Sequence, residues 1–239
     1  ENPLETDELL DPIEIRDYVA SLKSTAKLWY YSFNPEENKD LNDEEVEWVR
    51  KLNRIGINYY RPLVVASMGA KGVTAFQRIA LFKVIEKSIF VFFRMARLQA
   101  SYQSSVAYNF ARELYKGEKN IDEITVALEE NFKKQRETAV ETFVTKIDAL
   151  FKNHDGFYSW PDLRYFLFEY ERSLFEKTFV SKLTDWNAFT KNEKDKISIE
   201  HILPQTPTKW HWRNQFRDYS DEEKRCLANS LGNLIALSQ

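Results

Sequence analysis

Two short stretches near the end of the chain hold the side chains best suited to chemistry: Ile199-Glu200-His201-Ile202-Leu203-Pro204-Gln205, and Ser230-Leu231-Gly232-Asn233-Leu234-Ile235-Ala236-Leu237. An imidazole titrates near neutral pH, so His201 can take a proton from water, which is too poor a nucleophile at that pH to react unaided. The carboxylate of Glu200 is a hard oxygen donor of the kind that suits magnesium. A divalent cation held there would stabilise the charge that builds on a leaving oxygen. The pair carries a geometric difficulty. Neighbours on a regular strand point to opposite faces, so both side chains reach one site only if the strand bends. Pro204, three residues on, is a residue that ends or kinks strands. Taken singly, His201 would be read as a structural histidine and Asn233, after Gly232, as a turn residue.

Together the two stretches resemble the first two-thirds of a His-Asn-His nuclease site. More narrowly, they resemble the C-terminal half of GmrSD-type proteins, bacterial and archaeal restriction factors that cut modified foreign DNA. That family's hairpin reads roughly IEHIxPQ, a Trp-containing insertion, then LGNLxLL. Here the match is IEHILPQ, Trp210 and Trp212 in the insertion, and LGNLIAL, tightest from Ile197 to Gln239. The resemblance implies metal-dependent hydrolysis or nicking of foreign or modified DNA with Mg2+ as cofactor. It casts His201 as general base, Glu200 as a metal ligand, and Asn233 as the residue that ties the loop to the strand and orients His201. It also implies a short helix after the second strand carrying the last metal-binding Asn or His and then a Lys. The sequence stops at Gln239 before such a helix, so the hairpin is expected to be incomplete.

The insertion between the two stretches offers nucleic-acid contacts. His211, between Trp210 and Trp212, could meet a phosphate or a base while the tryptophans stack on nucleotides. Arg213 and Arg217 could grip phosphates. The plainer alternative is an insertion anchored by its aromatics, with surface charge around it.

With 239 residues, 43% apolar and 15% aromatic, the chain is globular and long enough for one large domain or a medium one plus a small one. A single cysteine, Cys226, rules out an internal disulfide framework and a Cys-rich zinc site, and fits a cytoplasmic location. The most apolar segment, Ile79 to Leu98, contains Lys83, Glu86, Lys87, Arg94 and Arg97 and is therefore not a membrane span. The glycines stand in no phosphate-loop context, so nucleotide binding is not encoded. The first residues show neither an initiating Met nor a signal pattern, and the family resemblance places a nucleotide-handling domain upstream.

Residues 1–48 hold 14 acidic and 4 basic side chains, a net of −10 against −3 for the whole chain, which leaves +7 for the remainder. Lys71 to Ala100 contributes Lys71, Arg78, Lys83, Lys87, Arg94 and Arg97 against only Glu86. That run could bind a phosphate backbone or be a solvated helix face. Residues 191–239 carry eight basic and seven acidic side chains, so the hairpin by itself does not attract DNA.

The elements that must position these residues are helical almost everywhere before Lys196. Asn42 and Asp43 followed by Val46, Val49, Leu52, Ile55 and Gly56 predict a capped helix with a glycine stop. Thr74 opens another, whose wide stripe through Phe93 predicts burial on more than one side. Ile121 through Leu150 predict one or two helices ending near Asn153-His154-Asp155-Gly156, with Gly156 as C-cap. Ser159-Trp160-Pro161-Asp162 predicts a helix start with a hydroxyl cap, followed by a buried stripe of Leu163, Phe166, Leu167, Tyr170 and Leu174. The expected fold is mainly α: a multi-helix domain over 1–190, a linker at Lys191 to Lys196, and a small ββα-metal (HNH-like) hairpin over 191–239. Function is then a DNA endonuclease or nickase, and a homodimer would supply a site for each strand. The alternatives are a catalytically incomplete scaffold or dimerisation module that binds partners, and a nuclease acting on RNA.

Overall fold

The computed structural model describes residues 11–99, 102–175, Trp186 and 198–237; the linker at 191–196 lies outside them. The chain divides into two compact units, one of residues 1–89 with 99–134 and one of residues 90–98 with 135–239.

The first unit is helical. It contains α1 (Pro12–Phe33), α2 (Asp43–Ile55), α3 (Arg61–Gly69), α4 (Ala75–Ile89), α5 (Ser104–Lys116) and the first part of α6 (Ile121–Asn153). The start of α2 follows its sequence: Asn42 Oδ1 accepts the Glu45 N–H at 2.9 Å, and Glu45 Oε2 accepts the Asn42 N–H at 2.9 Å. Gly56 closes the helix at φ +86°, a conformation that only glycine adopts without strain. Val49, Leu52 and Ile55 are buried, and so is Glu45, which pairs with Arg78 of α4. Helix α4 buries Ile79, Leu81, Phe82, Val84, Ile85 and Ile89, more than one face, as its stripe predicts. Four of the cations from Lys71 onward are paired with carboxylates. Arg78 is taken by Glu45, Lys87 reaches Glu129 at 2.8 Å, and Arg94 and Arg97 both reach Asp162. Among the described residues no helix is long and apolar enough to cross a membrane.

The second unit begins with a π-helical turn, Phe90–Met95. It continues with the end of α6, a 3-10 turn Gly156–Ser159, α7 (Leu163–Phe175), β1 (Ser198–His201), α8 (Trp210–Gln215), α9 (Asp221–Ala228) and β2 (Leu234–Leu237). Ile147, Trp160, Leu163, Leu167 and Leu234 form its buried core, with Phe143, Phe157, Ile199 and Leu231 packed against them. Strand residues and helix residues thus share one core. A partition at 190 separates them; the second compact unit keeps them together.

Three local expectations give way to tertiary contacts. Helix α7 starts at Leu163 rather than after Ser159, because Ser159 Oγ is engaged by the Asp155 N–H at 3.2 Å and Asp162 sits in the cap position with its carboxylate on Arg97 at 3.0 Å. Tyr170 and Leu174 are exposed, while Tyr165 and Phe168 are buried. The inward stripe of α7 is therefore rotated from the one read in sequence. Gly156 does not cap α6; it lies in the following turn at φ +50°, where a Cβ would collide with the Phe151 ring.

Candidate active site

Strands β1 and β2 pair antiparallel, with Ser198 opposite Leu237, Ile199 opposite Ala236, Glu200 opposite Ile235 and His201 opposite Leu234. Each pair lies on one face of the ribbon, and successive pairs alternate. Glu200 and Ile235 are both exposed; His201 is half-buried opposite the buried Leu234. The strand stays regular through His201, so the bend that would bring Glu200 and His201 to one side is absent, and the two functional groups diverge.

Beyond His201 the ladder is continued by a side chain. The Ile202 N–H donates to Asn233 O at 3.0 Å. The Asn233 amide then takes over: its Oδ1 accepts the Leu203 N–H at 2.7 Å, and its Nδ2 donates to Leu203 O at 3.0 Å and to Ala228 O at 2.6 Å. Asn233 therefore ties the loop after β1 to the end of α9, and these bonds all go to backbone atoms rather than to His201.

The His201 ring meets two other residues. Its Nε2 lies 3.1 Å from Asn229 Oδ1, and it packs on the Tyr158 ring, tilted by 48°, at 4.6 Å between ring centroids. Asn229 ends α9 and is fixed from several sides. Its Nδ2 donates to Arg225 O at 3.1 Å, its carbonyl accepts the Phe157 N–H at 3.1 Å, and its Oδ1 also accepts from Gln205 Nε2 at 3.2 Å. Arg225 in turn donates to Phe151 O at 2.6 Å, a charge-assisted bond near the C-terminal end of α6, where cations are favoured. The start of α9 is held by a capping box of Ser220 and Glu223, whose hydrogen bonds from the Ser220 N–H and hydroxyl lower the Glu223 carboxyl below its usual range.

Next to this arrangement lies a cleft of about 750 Å³ lined by Gln205, Trp212, Arg213, Phe216, Lys224 and Asn229, among others. Arg213 lines it and donates Nε to Pro207 O at 3.4 Å, leaving its terminal nitrogens for a ligand. Trp212 and Phe216 stack at 6.3 Å with 28° between their planes. His211 is exposed beside Trp212, at 4.9 Å between ring centroids. Arg217 is exposed, paired with Asp218 at 3.4 Å, and does not line the cleft. Among the residues proposed from sequence, His201, Asn233 and Arg213 thus gather around the loop and cleft; Glu200, His211 and Arg217 stand apart.

Among the described residues no three of His, Cys, Asp and Glu converge as a metal ligand set would. With one His201 nitrogen engaged by Asn229 and Glu200 on the other face, these residues do not fit a divalent cation by themselves. The residues that sequence reasoning missed are Asn229, Tyr158 and Gln205. Asn229 reads as an ordinary helix-ending Asn, and Tyr158 lies too far along the chain for any spacing to link it to His201.

No curated protein and no solved structure matches the chain. Residues 142–239, which contain α7, the hairpin and the cleft, match the family model described as GmrSD restriction endonucleases, C-terminal domain.

Proposed function

We propose that this chain serves a restriction endonuclease and that His201 is the general base of phosphodiester hydrolysis on DNA. The observation that carries the reading is the His201 ring, bonded at one nitrogen and without a hydrogen bond at the other among the described residues, inside the segment that the family model matches. A water proton passes to that nitrogen, the hydroxide attacks phosphorus, one P–O bond breaks, and the leaving oxygen takes a proton from solvent. Arg213 and Lys224 supply cationic groups for the phosphate backbone, and Trp212 and Phe216 supply faces for bases. An upstream nucleotide-handling domain and a homodimer belong to the same reading.

The test is incubation with supercoiled plasmid, with and without modified bases, and in parallel with RNA, in magnesium and in chelator. Nicked or linear plasmid that disappears with His201→Ala supports the reading, and magnesium dependence is read from the same gels. RNA cut in preference to DNA overturns the choice of substrate. A second reading, a catalytically incomplete scaffold or dimerisation module, is favoured by the divergence of Glu200 and His201; binding without cutting in every condition would select it.

A further inference from the structure

We propose that Asn229 is the positioning residue of this site, fixing His201 as the Nε2–H tautomer and so committing Nδ1 to accept the proton. The inference rests on His201 being the base. Sequence alone assigns both tying the loop and orienting the imidazole to Asn233; the hydrogen bonds divide those tasks between two asparagines.

Asn229 is 2% exposed, and its amide can face only one way. Nδ2 donates to Arg225 O at 3.1 Å, and Oδ1 accepts from Gln205 Nε2 at 3.2 Å. Turning the amide over would set its oxygen against the Arg225 carbonyl and its NH2 against that of Gln205, leaving buried groups unpaired. The atom facing His201 Nε2 at 3.1 Å is therefore an oxygen, which accepts and never donates. The ring nitrogen must be the donor, and a neutral imidazole has a single N–H. Nδ1 then keeps the lone pair, and no hydrogen bond engages it among the described residues.

The ring's orientation is held by the same group of residues. The Tyr158 ring packs against the imidazole at 4.6 Å with 48° between the planes, and the preceding residue, Phe157, donates its N–H to Asn229 O at 3.1 Å. The turn that carries Tyr158 is thus fastened to the residue that binds the imidazole. A base whose second nitrogen is held by a fixed partner presents one tautomer in one direction, and catalysis by position depends on that.

Only three histidines are present, His154, His201 and His211, so long-range nitrogen–carbon NMR of labelled imidazoles can be assigned with single His variants. At a pH where the rings are neutral, His201 is expected to show the Nε2–H tautomer alone. Asn229→Leu, which removes the accepting oxygen, should give averaged tautomer shifts. Cleavage by Asn229→Leu should fall about 10-fold or more in kcat with little change in KM, as expected when a base is misdirected. Wild-type His201 found as Nδ1–H or as a mixture overturns the proposal, and this spectrum stands even if Asn229→Leu fails to fold. A fixed Nε2–H tautomer in a chain that cuts no nucleic acid supports the positioning and overturns the function proposed for it. Cutting with an unfixed tautomer overturns the positioning alone.

Discussion

Asn233 uses both ends of its side-chain amide on the backbone of one residue, accepting the Leu203 N–H at 2.7 Å and donating to Leu203 O at 3.0 Å. It does for the loop what another strand residue would do for β1. Leu203 is 8% exposed, so water cannot readily replace these bonds. Asn233→Ala is expected to destabilise the second unit by about 1–3 kcal/mol, the cost of leaving buried backbone groups unpaired. Asn233→Asp should be no rescue, since a carboxylate would face the carbonyl oxygens of Leu203 and Ala228. Urea unfolding followed by tryptophan fluorescence measures both; an unchanged midpoint in Asn233→Ala would remove the clamp from the account.

Trp160 tests the core on which the hairpin rests. It is 6% exposed, ringed by Phe90, Phe143, Phe157 and Phe166 at 5.4–6.4 Å, and its indole N–H makes no hydrogen bond among the described residues. Trp160→Ala should cost about 3–5 kcal/mol. Trp160→Phe loses apolar area but also removes an unpaired buried donor, so its cost should stay below about 1.5 kcal/mol. Equal unfolding midpoints for the two variants would contradict this.

Asp162 gives the acid range a definite sign. Burial raises its carboxyl above the usual value, while Arg97 and Arg94 pull it back only in part. A raised pKa in the folded state means that the native chain binds more protons than the unfolded one. Stability from this group is full below the ordinary carboxylate pKa and is lost as pH rises through the folded value. Relative to Asp162→Asn, the wild type should therefore lose stability across that window. A gap between the two that widens in favour of the wild type as pH rises would contradict the assignment.

The helices are largely legible in sequence because their signals are local: a cap, a periodic stripe, a glycine stop, as at Asn42 to Gly56. Hairpin residues are legible because the two motifs sit on paired strands. The start of α7 is not, since Asp162 answers to arginines far along the chain rather than to its own helix. Asn229 is hidden for the same reason: its role depends on a loop and a turn that only the fold brings to it. Glu200 stands apart because the bend that would bring it to the side of His201 does not occur in β1, and Pro204 alone does not reveal where along the backbone the strand gives way.

Arg213 and Arg217 should separate in DNA binding. Arg213 lines the cleft, whereas Arg217 is paired with Asp218 outside it. Arg213→Ala should lower the slope of log affinity against log salt by about 1, as expected when one phosphate is no longer neutralised. Lys224→Ala should lower it by less, because Lys224 is paired with Asp221 at 3.7 Å in the same cleft. Arg217→Ala should leave the slope near that of the wild type. Fluorescence anisotropy with a labelled duplex over a salt series decides, and a larger loss for Arg217→Ala would put the DNA elsewhere.

If His201 takes the water proton, as we propose, the single-turnover rate of plasmid cleavage by the full protein depends on it, and the comparison is between His201 and His201→Ala, each first shown to be folded. A general base contributes about 10²–10⁴-fold, so the variant should cut slower by that factor while binding DNA as tightly. Equal rates from the two proteins would exclude His201 as the base.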